Sequence, residues 1–180
     1  MEKFLRSRTL WRGRFFLFKS DEVELPGGRV TVRDIVEHPG AVAIIPILRD
    51  GRILLVRQYR YAVGKELLEI PAGTIEADES PQECAMRELS EETGYEAEEI
   101  EEITRFYTAP GYSSELIHIF VAKSLKRASG SSDTDEQIKV EAFELDQVLE
   151  MISGNIIEDG KTICGILSLN YMRGLLQEKR

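Results

Sequence analysis

The sequence predicts an α/β fold with an antiparallel β region ahead of it. Three observations carry the prediction. Turn-separated β-prone segments crowd the first forty residues, two apolar runs flank Asp50-Gly51, and a helix between Ser80 and Gly94 is punctuated at both ends. Later helical segments at 145–152 and 160–177 follow further strand-like runs, the order expected when helices cover a sheet.

Taken in order, Phe15-Phe16-Leu17-Phe18 is apolar and β-prone, Pro26-Gly27-Gly28 is a hairpin-type turn, and Val30-Thr31-Val32 resumes a strand. A small antiparallel sheet is expected here, ending near Pro39-Gly40. Ala41–Leu48 and Ile53–Val56 are two more strands, and Asp50-Gly51 predicts a type I′ turn between them. Leu67–Ile70 is a strand running into Pro71-Ala72-Gly73. In the helix that follows, Ser80 is the N-cap, Pro81 the first helical residue, Glu83 completes a capping box and Gly94 stands at C′. Ile103–Tyr107 and Ile117–Ala122 are strands around the loop 108–115, residues 128–137 form a polar loop, and Val140–Leu145 is a strand. The expected division is an N-terminal β region over 1–39 and a main domain over 40–180.

Composition narrows the function classes. With 42% hydrophobic and 31% charged residues the chain is of globular type, and its longest apolar run is strand-sized, so no membrane span is expected. The arginine-rich start carries no apolar signal region, and two cysteines without CxxC spacing make no disulfide framework, so a cytoplasmic setting is expected. A net charge of −9 counts against a nucleic-acid surface. An anionic substrate would need divalent cations between itself and the acidic residues of its site.

The chemistry is concentrated in one string. Gly73 is followed after five residues by Glu79, and after seven more by Arg87-Glu88-Leu89-x-Glu91-Glu92-x-Gly94-Tyr95. On a helix Glu88, Glu91 and Glu92 fall on one side, with Ala85, Met86 and Leu89 forming the neighbouring apolar stripe. Three carboxylates at this spacing repel one another unless a cation binds them, and hard oxygen ligands suit Mg²⁺ or Mn²⁺. Glu79 and Arg87 stand where they can orient the cluster. Such a trio alone is most often a solvated helix face; the complete string is not.

That string matches the Nudix box, Gly-x5-Glu-x7-Arg-Glu-U-x-Glu-Glu-x-Gly-U, with Tyr95 a mild departure at the final apolar position. The chain therefore resembles the Nudix hydrolases. The resemblance implies an α/β/α sandwich around a mixed sheet and hydrolysis of the pyrophosphate bond of a nucleoside diphosphate linked to a group X. It further implies two or three divalent ions held by Glu88, Glu92 and the Ala72 carbonyl, with Glu91 as a ligand or base and Arg87 in the catalytic machinery.

A narrower resemblance is to the ADP-ribose pyrophosphatase branch. Pro110 lies 15 residues beyond Tyr95, and Arg33–Ala41, Arg57–Arg60 and Leu68–Gly73 look like the same branch. This implies cleavage of ADP-ribose to AMP and ribose 5-phosphate by a homodimer whose N-terminal sheets help complete each other's substrate sites. Arg33 and Arg60, then Glu66, Pro110 and Glu115, become the substrate-contact candidates. The branch carries an acidic run in its late loop. Here it reads Asp133-Thr134-Asp135-Glu136, with Glu136 at the ligand position and Thr134 where a catalytic glutamate is expected. The base is then Glu91, Asp135 or Glu136. Nucleotide sugars, dinucleoside polyphosphates or oxidised nucleotides are the alternative substrates, and a non-catalytic nucleotide-binding module is the alternative role. His118 and Cys84 read as structural, and Trp11 and Phe15 as core or interface packing or as a stacking surface for a base.

Overall fold

The computed structural model describes residues 1–128 and 138–177. β1 (Lys3–Arg12), β2 (Leu17–Glu24) and β3 (Val30–Glu37) form an antiparallel sheet of their own. The β2–β3 connection is the expected hairpin, with Gly27 and Gly28 both at positive φ and Leu25 N–H donating to the Arg29 carbonyl. The first strand begins earlier than the apolar pattern indicates. Phe15 and Phe16 are not in a strand but in the β1–β2 turn, where Gly13 N–H donates to the Phe16 carbonyl.

β4 (Ala41–Pro46) is buried on both faces, as a near-continuous apolar run requires. Its turn into β5 (Ile53–Arg60) corrects the type I′ expectation. Among these residues only Gly51 has positive φ, Gly51 N–H donates to the Leu48 carbonyl, and Leu48 N–H donates to the Arg52 carbonyl. This is a three-residue loop with glycine in the bulge position: Asp50 stays at negative φ, which its Cβ favours, and only Gly51 takes the positive φ that a type I′ turn would need at two residues.

β6 (Lys65–Glu69) pairs with β5, and β7 (Ala72–Thr74) pairs with β4. The helix α1 (Pro81–Thr93) has the predicted ends: Ser80 and Glu83 form the capping box, and Gly94 closes it at φ 68. β8 (Tyr95–Tyr107) begins at once and is far longer than the expected 103–107, because its glutamates face outward while Ala97, Ile100 and Ile103 pack inward. β9 (Leu116–Arg127), β10 (Lys139–Phe143), α2 (Leu145–Ser153) and α3 (Gly160–Gln177) complete the chain.

The sheets are β10-β5-β6, all antiparallel, and β7-β4-β9-β8, in which β4 and β9 run parallel. Alternation along β4 divides the core. Val42 and Ile44 meet Cys84, Ala85 and Leu89 of α1, whereas Ala43 and Ile45 meet Val148 of α2 and Ile166 and Leu169 of α3. The layers are therefore helix, sheet, helix, as expected. Met86 is a correction: it is 47% exposed, and Cys84, two residues back along the helix, takes the core position.

Candidate active site

The short β7 brings the box together. Gly73 faces α1 so closely that a Cβ there would lie 1.9 Å from the Glu88 carboxyl, so only glycine lets strand and helix approach. Glu92 Oε2 accepts from Ala72 N–H at 3.0 Å, fixing the helix to the strand from the other side.

Arg87 latches the rest. Its Nε and Nη2 donate to Glu79 at 2.9 and 3.0 Å, Nη1 donates to Glu88 at 2.6 Å and to Glu91 at 3.1 Å, and Nη2 reaches the Thr74 carbonyl at 3.4 Å. Glu79 Oε2 also accepts from Glu76 N–H, so the loop between β7 and α1 closes on itself. Hydrogen bonding to Arg87 holds the Glu79 carboxyl down at about 2 and raises the guanidinium in return. Burial pushes Glu92 up to about 7 and raises Glu88 in spite of Arg87. Burial also pushes the Cys84 thiol up to about 12, which suits a packing role beside Arg87.

Glu88, Glu91, Glu92 and Ala72 line one cleft of about 910 Å³, together with Arg60, Gln58, Ile138 and, from the β1–β2 turn, Arg14 and Phe15. A second lobe of about 670 Å³ shares Ala72, Gly73, Thr74 and Arg60 with the first and is lined by Glu115, Phe106, Lys161 and Cys164. The carboxylates are not closed around one point. Glu88 and Glu91 both turn to Arg87, and among the described residues no three acidic, His or Cys side chains gather at metal-ligand spacing.

Of the substrate candidates, Arg60 and Glu115 line the cleft, and Glu115 accepts from Thr108 Oγ1 at 2.7 Å. Pro110 lies in the turn between them, whose backbone is bonded to β3 through Val36 and Tyr112. Arg33 is absent from both linings and pairs with Glu2, while Glu66 is exposed opposite Tyr59 on β6. Asp133, Thr134, Asp135 and Glu136 lie outside the described residues; Ile138, just beyond them, lines the first lobe.

The motif reading missed a buried charge cluster behind Arg60. Glu69, 1% exposed, accepts from Arg60 Nε at 2.9 Å and Nη2 at 2.7 Å, and from Lys161 Nζ. Lys161 also donates to Asp159 at 3.0 Å. Asp159 caps α3 through Thr162 N–H, and Thr162 Oγ1 accepts from Ile70 N–H, tying the helix to the end of β6. Burial alone would raise the Glu69 carboxyl, but Arg60 and Lys161 together hold it below its ordinary value. Glu69 sits within the Leu68–Gly73 segment singled out by resemblance; its partner Lys161 is too far along the chain for any spacing rule to find.

Residues 37–161 match the NUDIX domain, and the chain belongs to that family. It is 41% identical over 97% of its length to a "Methanol dehydrogenase activator" of Bacillus methanolicus, covering 95% of that protein. It is 37% identical over 99% of its length to an "ADP-ribose pyrophosphatase" of Bacillus subtilis (strain 168), covering 97% of it. A crystal structure of an "ADP compounds hydrolase" superposes with a TM-score of 0.83 at 26% identity, covering 97% of this chain and 95% of that one.

Proposed function

We propose that this protein hydrolyses the pyrophosphate bond of a nucleoside diphosphate linked to X, with ADP-ribose as preferred substrate and AMP and ribose 5-phosphate as products. The observation that carries the reading is that Glu88, Glu91, Glu92, Ala72 and Arg60 line a single cleft.

The donor set fits a hard divalent cation, Mg²⁺ or Mn²⁺, two or three in number. It is all oxygen, and burial makes charge on Glu88 and Glu92 costly until a cation offsets it. Glu88, Glu92, the Ala72 carbonyl and Glu136 would hold the ions, which supply activation of water and neutralise charge on the leaving phosphate. Arg87 pairs with Glu88 and Glu91 at the wall of the cleft and holds them in place there. Arg60 binds the diphosphate where the two lobes meet, and Glu115 accepts from hydroxyls of X. A base, Glu91 or the late loop, takes the proton of the attacking water. Glu136→Gln tests one candidate: a large rate loss supports a role for Glu136, as base or ligand, and no loss leaves Glu91 or Asp135 as the base. Thr134→Glu tests the position the branch fills with a glutamate.

The N-terminal sheet, residues 1–39, serves a homodimer. Every residue of β1 is exposed, with Phe4, Leu5, Leu10 and Trp11 among them, a surface a second copy would cover. Arg33, away from its own cleft, then acts across that interface, and Glu66, exposed on β6, stays a weaker substrate candidate.

The test is hydrolysis of ADP-ribose coupled to a phosphatase, with and without Mg²⁺, beside nucleotide sugars and dinucleoside polyphosphates. Metal-dependent turnover highest on ADP-ribose supports the reading, and a different best substrate removes the branch assignment. No turnover on any of them transfers the weight to a regulatory binding module. The 41% identical relative named for activating a dehydrogenase is what favours that second reading.

A further inference from the structure

We propose that Glu69 is the positioning residue for Arg60, fixing the guanidinium so that its free edge faces the diphosphate, with Lys161 holding Glu69 in place. The inference rests on the hydrolase reading above.

Glu69 grips Arg60 side-on through Nε and Nη2, leaving the three remaining N–H groups of the fork directed away from the carboxylate. Arg60 is 40% exposed at its side chain, and it lines both lobes of the cleft. A buried carboxylate is a poor way to stabilise a core, because apolar residues of similar size often do as well. Lys161, itself nearly buried, is shared between Glu69 and Asp159, so one ammonium faces two carboxylates and Arg60 supplies the second positive charge. A single contact would supply that charge; the two-point grip through Nε and Nη2 also fixes the plane of a half-exposed guanidinium. What it accomplishes is geometric: a long side chain that would otherwise sample many rotamers is presented in one.

The role predicts an effect on substrate affinity that passes through Arg60. Glu69→Gln, Arg60→Gln and the double variant would be compared by steady-state kinetics on ADP-ribose. The same set would be titrated calorimetrically in Mg²⁺ buffer with the non-cleavable α,β-methylene analogue of ADP-ribose. Glu69→Gln should raise KM and the analogue Kd by about tenfold while kcat stays within about threefold, and it should add nothing in the Arg60→Gln background. Equal, independent losses in the two backgrounds overturn the proposal, as does a folded Glu69→Gln protein of unchanged KM. If Glu69→Gln does not fold, Lys161→Met takes its place: a KM rise of about threefold, absent in Arg60→Gln, is expected, and an unchanged KM overturns the role. Wild-type protein that does not bind the analogue sinks the hydrolase reading and this inference with it. Binding by wild type and Glu69→Gln alike sinks this inference alone.

Discussion

At the scale of single residues, the site depends on how closely β7 approaches α1. Gly73→Ala places a methyl group on the Glu88 carboxyl, so Glu88 must swing away or the strand must part from the helix. Hydrolysis is expected to fall by about a hundredfold, on the scale of losing one orienting contact, and far-ultraviolet circular dichroism should stay near wild type. Glu92→Gln keeps the size of the side chain and removes its charge. Mg²⁺ should then no longer raise the melting temperature, and turnover should drop on the order of a hundredfold. Wild-type turnover in that variant would remove the helix from the metal site. The glutamates of α1 were legible because helical geometry places i, i+3 and i+4 together without any tertiary information. The grip of Glu69 on Lys161 was not, since 92 residues of chain separate them.

At the scale of elements, α1 and α3 were both legible, α3 to its observed bounds, but their starts are held differently. The ends of α1 are written locally, in Ser80, Pro81, Glu83 and Gly94. Ser80→Ala should therefore cost about 1 kcal/mol in urea denaturation, the usual worth of an N-cap. The start of α3 is held from outside, by the chain of hydrogen bonds from Ile70 N–H through Thr162 Oγ1 to Asp159. Thr162→Val keeps the shape but strands a buried N–H and should cost about 1–3 kcal/mol. β8 exceeds the expected 103–107 because a run such as Glu-Ala-Glu-Glu-Ile-Glu-Glu-Ile looks polar by itself, and pairing with β9 makes it an edge strand with one wet face. Met86 was misplaced for a related reason: helical spacing defines a stripe, but the packing partner decides its edge.

At the scale of the whole molecule, charge and surface make the predictions. The Glu79 carboxyl is depressed to about 2 by Arg87. Its contribution to stability is complete above the ordinary carboxylate value and disappears as pH falls from about 4.5 toward 2, where folded and unfolded states are both protonated. The stability gap between wild type and Glu79→Gln should therefore narrow over that window; a gap that is flat with pH would remove Glu79 from the latch. The β1 strand, with Phe4, Leu5, Leu10 and Trp11 exposed among its basic residues, belongs to this scale too. Trp11→Asp should convert a dimer to monomers in sedimentation velocity, and a wild-type protein that sediments as a monomer would end the dimer proposal.

The sequence by itself determined the chemistry and the layer order. The box is a local string whose helix, cap and carboxylate spacing follow from backbone geometry alone, and the alternation of strand and helix patterns allows few ways to bury their apolar faces. Only the tertiary structure decided which side chains share the cleft. Arg60, Glu69, Asp159 and Lys161 meet because β5, β6 and the start of α3 converge there, and Phe15 and Arg14 arrive on a turn from a separate sheet. Contacts of that kind are set by the packing of distant elements, which no periodicity within one segment encodes.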